Sequence, residues 1–138
     1  MGRLLGIDYG TKRVGLAVTD PLKLIANTLT TVHAKEVIQF LKDYVAKEPV
    51  ECFVVGKPMR LNGTDSQSSV HVEKFVHLLI ESFPQIPVSR VDERFTSAIA
   101  TRSLLEMGLK KKDRANKSNI DQVSAVLILQ TYMQMQNR

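Results

Sequence analysis

The stretch that most constrains this chain is "GIDYGTKRVGLAVTD", residues 6–20. An apolar strand runs into Asp8, turns through Gly10, Thr11, Lys12 and Arg13, and returns as a second strand, which commits the N-terminus to an antiparallel hairpin. In the returning strand Val14, Leu16 and Val18 share one face, and Gly15, Ala17 and Thr19 share the other. Strand alternation therefore presents a bulky face to a core and a small face on which something can approach the sheet closely. Two different machines open in this way: a hairpin that grips the phosphates of a nucleotide, and a strand-end carboxylate that holds a catalytic metal.

The pattern beyond the hairpin is alternating. "LIANTLTTV", Leu24 to Val32, is rich in β-branched residues and predicts a third, edge strand. Val37, Leu41, Tyr44 and Val45 form a helical stripe that stops before Pro49. "ECFVVG" is a short apolar run suited to a parallel strand buried on both sides. Val72, Phe75, Val76, Leu79, Ile80 and Phe83 mark the apolar face of a second helix, and "IPVSRV" the next strand. A helix from about Thr96 to Gly108 and a last, largely apolar helix from about Ser118 complete the chain. The prediction is an α/β fold: a mixed five-stranded sheet, three antiparallel strands and then parallel ones, flanked by helices on both faces. At 138 residues it makes one domain, with room for one core and not for two lobes.

Charge and cysteine usage narrow the class. The net charge of +5 is concentrated in "KKKDRANK", residues 110–117, where five basic residues meet one acid. Such a run is a solvated loop or a local phosphate-binding patch. The lone Cys52 sits inside an apolar run and reads as a small buried hydrophobe rather than a reactive thiol. No apolar run has the length of a membrane span and the first residues lack a signal-peptide layout, so a cytoplasmic protein with no membrane partner is expected. His33, His71 and His77 show no metal-ligand spacing and read as surface residues. "GKPMRLNG" at Gly56 lacks the glycine spacing of a P-loop.

Three carboxylates fall at element ends. Asp8 closes the first strand, Glu93 follows the strand ending at Val91, and Asp121 lies in the first turn of the last helix. Each has an ordinary explanation: a turn residue for Asp8, a surface pair with Arg94 for Glu93, a capping box with Ser118 for Asp121. Together at one sheet edge they would repel one another, and a hard divalent cation relieves that repulsion with the oxygen ligands it prefers.

Four motifs in order, "GIDYGTKRVGLAVTD", "VVGKPMRLNGT", "VDERFTSAIA" and "NIDQVSAVLILQTYM", cover nearly the whole chain. Together they resemble the YqgF family of small bacterial proteins with an RNase H-like fold. Its members are described as Holliday junction resolvases or as nucleases acting on the precursor of small-subunit (pre-16S) ribosomal RNA. The resemblance implies that the first strand is central and that Asp8, Glu93 and Asp121 are the catalytic, metal-binding acids. It implies metal-assisted phosphodiester hydrolysis with two Mg²⁺ or Mn²⁺ ions roughly 4 Å apart, Asp8 bridging them. Lys12, Arg13, Lys57, Arg60 and Arg94 are candidates to meet nucleic-acid phosphates, with Lys110, Lys111, Lys112, Arg114 and Lys117 extending the track. Gly15 and Ala17 are candidates for clearance beneath a nucleic-acid strand.

Pre-rRNA is the favoured substrate, with branched DNA as the alternative and ribosomal particles as conceivable partners. A resolvase would need a two-fold dimer for paired cuts, whereas an RNA-processing enzyme can act as a monomer. The competing readings are a sugar-kinase or actin-type ATPase, for which the chain is too short, and a nucleic-acid-binding module without catalysis.

Overall fold

The computed structural model describes residues 2–57, 69–92 and 117–136, and the side chains of all of these except 117–120. Among the described residues eight elements follow one another: β1 (Arg3–Tyr9), β2 (Arg13–Thr19), β3 (Ala26–His33), α1 (Val37–Lys47), β4 (Val50–Lys57), α2 (Ser69–Ser82), β5 (Val88–Asp92) and a C-terminal helix, α3 (Lys117–Gln136). The helix expected from Thr96 to Gly108 lies outside the described residues.

The strands form one sheet in the order β3-β2-β1-β4-β5, so β1 is central and β3 is an edge, both as expected. β1 pairs with β2, and β2 with β3, in antiparallel fashion; β4 runs parallel to both β1 and β5. β4 owes its place to its apolar run, which buries side chains on both faces. Phe53 and Val55 enter the core beneath α1 and α2, while Cys52 and Val54 enter the core beneath α3. Cys52 is therefore the buried hydrophobe its sequence context suggests.

The two faces bury different material. Leu5, Ile7, Val14, Leu16 and Phe53 pack with Val37 and Leu41 of α1 and with Val72, Phe75, Val76 and Leu79 of α2. On the other face Leu4, Ala17, Ala26, Val54 and Val91 meet Ala125, Ile128 and Leu129 of α3. Here the sheet must be thin. A Cβ added to Gly6 would stand 2.6 Å from Leu129 Cγ and 2.8 Å from the Ala125 carbonyl oxygen. At Gly15 it would stand 2.2 Å from the Asp121 carbonyl oxygen. Clearance on this face is thus taken up by the protein's own helix, which corrects the expectation that Gly15 and Ala17 lie open beneath a nucleic-acid strand.

Smaller departures have local causes. β3 begins at Ala26 rather than Leu24, because the Asp20 carboxylate accepts the backbone N–H groups of Leu22, Leu24 and Ile25 and rolls them into a turn. Ile80 is half exposed, on the margin of the α2 stripe rather than within it. α3 buries one stripe, Ala125, Ile128 and Leu129, while Val126 and Leu127 beside it remain half-buried.

Candidate active site

One end of the sheet collects the chemistry. β1, β3, β4 and β5 finish there and β2 begins there, so from β3 to β5 the edge reads His33, Arg13, Asp8 with Tyr9, Lys57 and Asp92. Ligand sites in open sheets gather beyond such strand ends.

Asp8 pairs across the hairpin with Gly15. Residues directly opposite one another in an antiparallel pair project from the same face, so Asp8 stands on the α3 side of the sheet. Gly15 offers no side chain beside it, and the Asp121 backbone is packed into the space, its carbonyl oxygen 2.2 Å from where a Cβ would be. One glycine thereby seats the helix and brings Asp121 to the corner occupied by Asp8. The neighbouring helical residue adds a tie: Gln122 Nε2 donates to Thr31 Oγ1 at 3.1 Å, and Thr31 is the partner of Gly15 on β3. On the opposite face Tyr9 stacks on Phe75, with ring centroids 4.4 Å apart, and anchors the end of β1 against α2.

Asp121 is not a first-turn residue, contrary to the sequence expectation. It is the fifth residue of α3, whose first turn holds no acid. Its carboxylate accepts a hydrogen bond from Arg13 Nε, 3.1 Å away, across 108 residues of chain. The capping-box explanation for Asp121 therefore fails, and a long-range ion pair takes its place.

The basic candidates divide. Lys12 is exposed in the hairpin turn, where its carbonyl accepts the Ala34 N–H at 3.0 Å. Arg13 is committed to Asp121. Lys57 ends β4 on the α2 side of the sheet, away from Asp8 and Asp121. It contributes there to holding the Glu73 carboxyl below the usual carboxylate range, behind the larger effect of the Arg90 hydrogen bond. Arg90 Nη1 and Nη2 each lie 2.8 Å from a Glu73 carboxylate oxygen, and the Arg90 side chain also donates to the Val55 carbonyl. That clamp fixes the β4 and β5 ends to α2, and the sequence offered no sign of it because both residues are ordinary surface types. Lys117 begins α3. Glu93, Arg60, Arg94, Lys110, Lys111, Lys112 and Arg114 lie outside the described residues. Among the described residues no three acids, histidines or cysteines cluster as a metal site; Asp8 and Asp121 are the two acids this corner holds. Their hard oxygen donors fit Mg²⁺ or Mn²⁺. His33, His71 and His77 are exposed, in line with their reading as surface residues.

A family model described as "RuvX: Holliday junction resolvase" matches residues 2–135. The chain belongs to this family. It is the YqgF family that the four motifs resemble, and the resemblance is confirmed along nearly the whole chain. A protein of Christiangramia forsetii is 52% identical over 96% of this chain and 98% of its own length. One of Porphyromonas gingivalis is 52% identical over 100% of both chains. One of Bacteroides thetaiotaomicron is 53% identical over 97% of each. All three bear the name "Putative pre-16S rRNA nuclease". Among solved structures, Thermus thermophilus RuvC in complex with a Holliday junction substrate superposes with a TM-score of 0.60 at 15% identity, over 98% of this chain and 96% of that one. That likeness establishes the RNase H-like fold. Membership of the family makes the chain a nuclease, a hydrolase of phosphodiester bonds. Among the described residues no helix is long and apolar enough to cross a membrane.

Proposed function

We propose that this nuclease depends on Mg²⁺ or Mn²⁺ held by Asp8, Glu93 and Asp121, and that it trims the 5′ end of pre-16S ribosomal RNA. The observation that supports the site is the Gly15 contact, which packs the Asp121 backbone against the strand partner of Asp8. Asp121 already meets Arg13 at 3.1 Å, and a hard divalent cation is the counter-charge for these acids that would also serve hydrolysis. Glu93, next in the chain after Asp92 at the end of β5, is the third acid that the family motifs imply. The substrate reading rests on relatives about half identical over nearly their full length that carry the pre-16S name.

Held by Asp8, Glu93 and Asp121, divalent ions would supply the activation of a water and the stabilisation of the departing oxygen. The chain's own residues supply placement. Asp8 is held by β1, whose end is fixed by the hairpin and by the Tyr9–Phe75 stack. Asp121 is held by the packing of α3 on Gly15. Lys12 is exposed in the turn, which supports assigning it to the phosphate chain of the RNA, and the positive charge of the 110–117 run would add to the attraction.

The test is cleavage of a pre-16S leader RNA and of a four-way DNA junction by the wild-type chain and by Asp8→Asn, each in Mg²⁺, Mn²⁺ and EDTA. RNA cleavage lost in EDTA and in a folded Asp8→Asn variant is the expected result. Preferential cutting of the junction would shift the substrate to branched DNA. Cleavage surviving both treatments would remove the metal reading. Salt-sensitive binding without any cleavage would leave a binding module.

A further inference from the structure

The Arg13–Asp121 pair joins a candidate metal ligand to a candidate phosphate ligand. We propose that Arg13 is a resident counter-ion, neutralising Asp121 while the metal site is empty and released toward substrate phosphate when a divalent cation enters. This rests on the metal reading of the corner.

Three features separate this contact from a surface ion pair. First, the two partners differ in exposure and anchorage. The Asp121 side chain is 22% exposed and its backbone is wedged against Gly15, with Gln122 tied to Thr31 beside it. The Arg13 side chain is 41% exposed and stands where β2 begins, next to the turn. The carboxylate stays and the guanidinium can leave. Second, arginine does not lose its proton in a protein, so the pair yields to a competing cation or a competing anion and not to deprotonation. A divalent ion at Asp121 would be repelled by a guanidinium 3.1 Å from the same oxygen, so the two compete for one carboxylate. Third, the freed guanidinium remains at the strand-end edge beside exposed Lys12, on the side from which a polyanion would approach.

Binding reciprocity follows. If metal entry frees Arg13, then a phosphate group that draws Arg13 off Asp121 must raise metal affinity by the same factor. Metal and nucleic acid then bind cooperatively, and Asp121 is kept from attracting stray cations between substrates.

Calorimetric titration of Mn²⁺ into the wild-type chain and into Arg13→Gln, Arg13→Lys, Asp8→Asn and Asp121→Asn decides the matter without reference to cleavage. Arg13→Gln is expected to bind Mn²⁺ about tenfold more tightly, within the usual span of coupling between sites, and Arg13→Lys to stay near wild type. Asp8→Asn and Asp121→Asn are expected to lose binding. Unchanged or weaker Mn²⁺ affinity in Arg13→Gln, with both acid variants losing theirs, overturns the role of Arg13 and leaves the metal site standing. Full binding in the acid variants, or none in the wild type, overturns both. In the wild-type chain itself the Arg13 Nε–H resonance should move toward that of a solvated arginine as Mg²⁺ is added. A resonance that ignores Mg²⁺ would refute the release even if the variants failed to fold.

Discussion

On the side of the sheet covered by α1 and α2, Leu5, Ile7, Val14, Leu16 and Phe53 fill the interior with branched and aromatic side chains. On the side covered by α3, β1 and β2 offer Gly6, Gly15 and Ala17. On the first face large side chains stand between sheet and helices; the second lets a helix backbone come within 2.2 Å of a would-be Cβ. The two faces divide the labour. Bulk on one face makes the domain stable, and its absence on the other sets a helix close enough to share a site with the central strand.

Removing the chemistry without touching either packing arrangement should have the largest effect. Asp8→Asn is expected to lower cleavage by about 10³-fold or more, equivalent to roughly 4 kcal/mol of barrier, in single-turnover assays, with the melting temperature little changed. Next comes the bulky face. Phe53→Ala opens a cavity in a fully buried position and should cost about 3–5 kcal/mol in urea denaturation, while the molecules still folded keep their rate per site. Gly15→Ala reverses that balance. The added methyl meets backbone that cannot swing away, so a smaller loss of stability, about 1–3 kcal/mol, is expected alongside a fall in cleavage beyond what unfolding explains. Equal loss of activity per folded molecule in the Phe53 and Gly15 variants would erase the distinction between the faces.

The smallest effect tests the clamp at the β4 and β5 ends. The Arg90 hydrogen bond holds the Glu73 carboxyl below its ordinary value. A carboxylate whose folded pKa is depressed stabilises the fold fully above its unfolded pKa and loses that contribution as pH falls through the folded one. Wild type should therefore exceed Glu73→Gln in stability at pH 7, and the gap should close under acid, below the ordinary carboxylate range of about 4. The pair is partly open to solvent, with Glu73 43% exposed, so the gap should stay under about 1 kcal/mol. A gap that persists unchanged at acid pH would mean that Glu73 contributes by packing rather than by charge.

Much of this was legible beforehand for reasons that are local. Strand alternation in "RVGLAVT" sorted large from small residues correctly, and the apolar run at Cys52–Val55 announced a strand buried on both sides. The 3.6-residue spacing located α1 and α2, with Ile80 misplaced because the edge of a helical stripe is decided by what it packs against. Asp20 ended the loop before β3 two residues later than propensity suggested, since a side chain satisfying three backbone N–H groups outweighs β-branching.

The hairpin, the order of the described elements and the small face of β2 were legible from sequence, because each is written within a few neighbouring residues. What occupies the small face, the place of Asp121 one turn into its helix and its ion pair with Arg13 emerge with the fold. The physical reason is distance along the chain: 108 residues separate Arg13 from Asp121, and no local periodicity encodes which helix will fit over a glycine. Packing makes that choice, and the site comes with it.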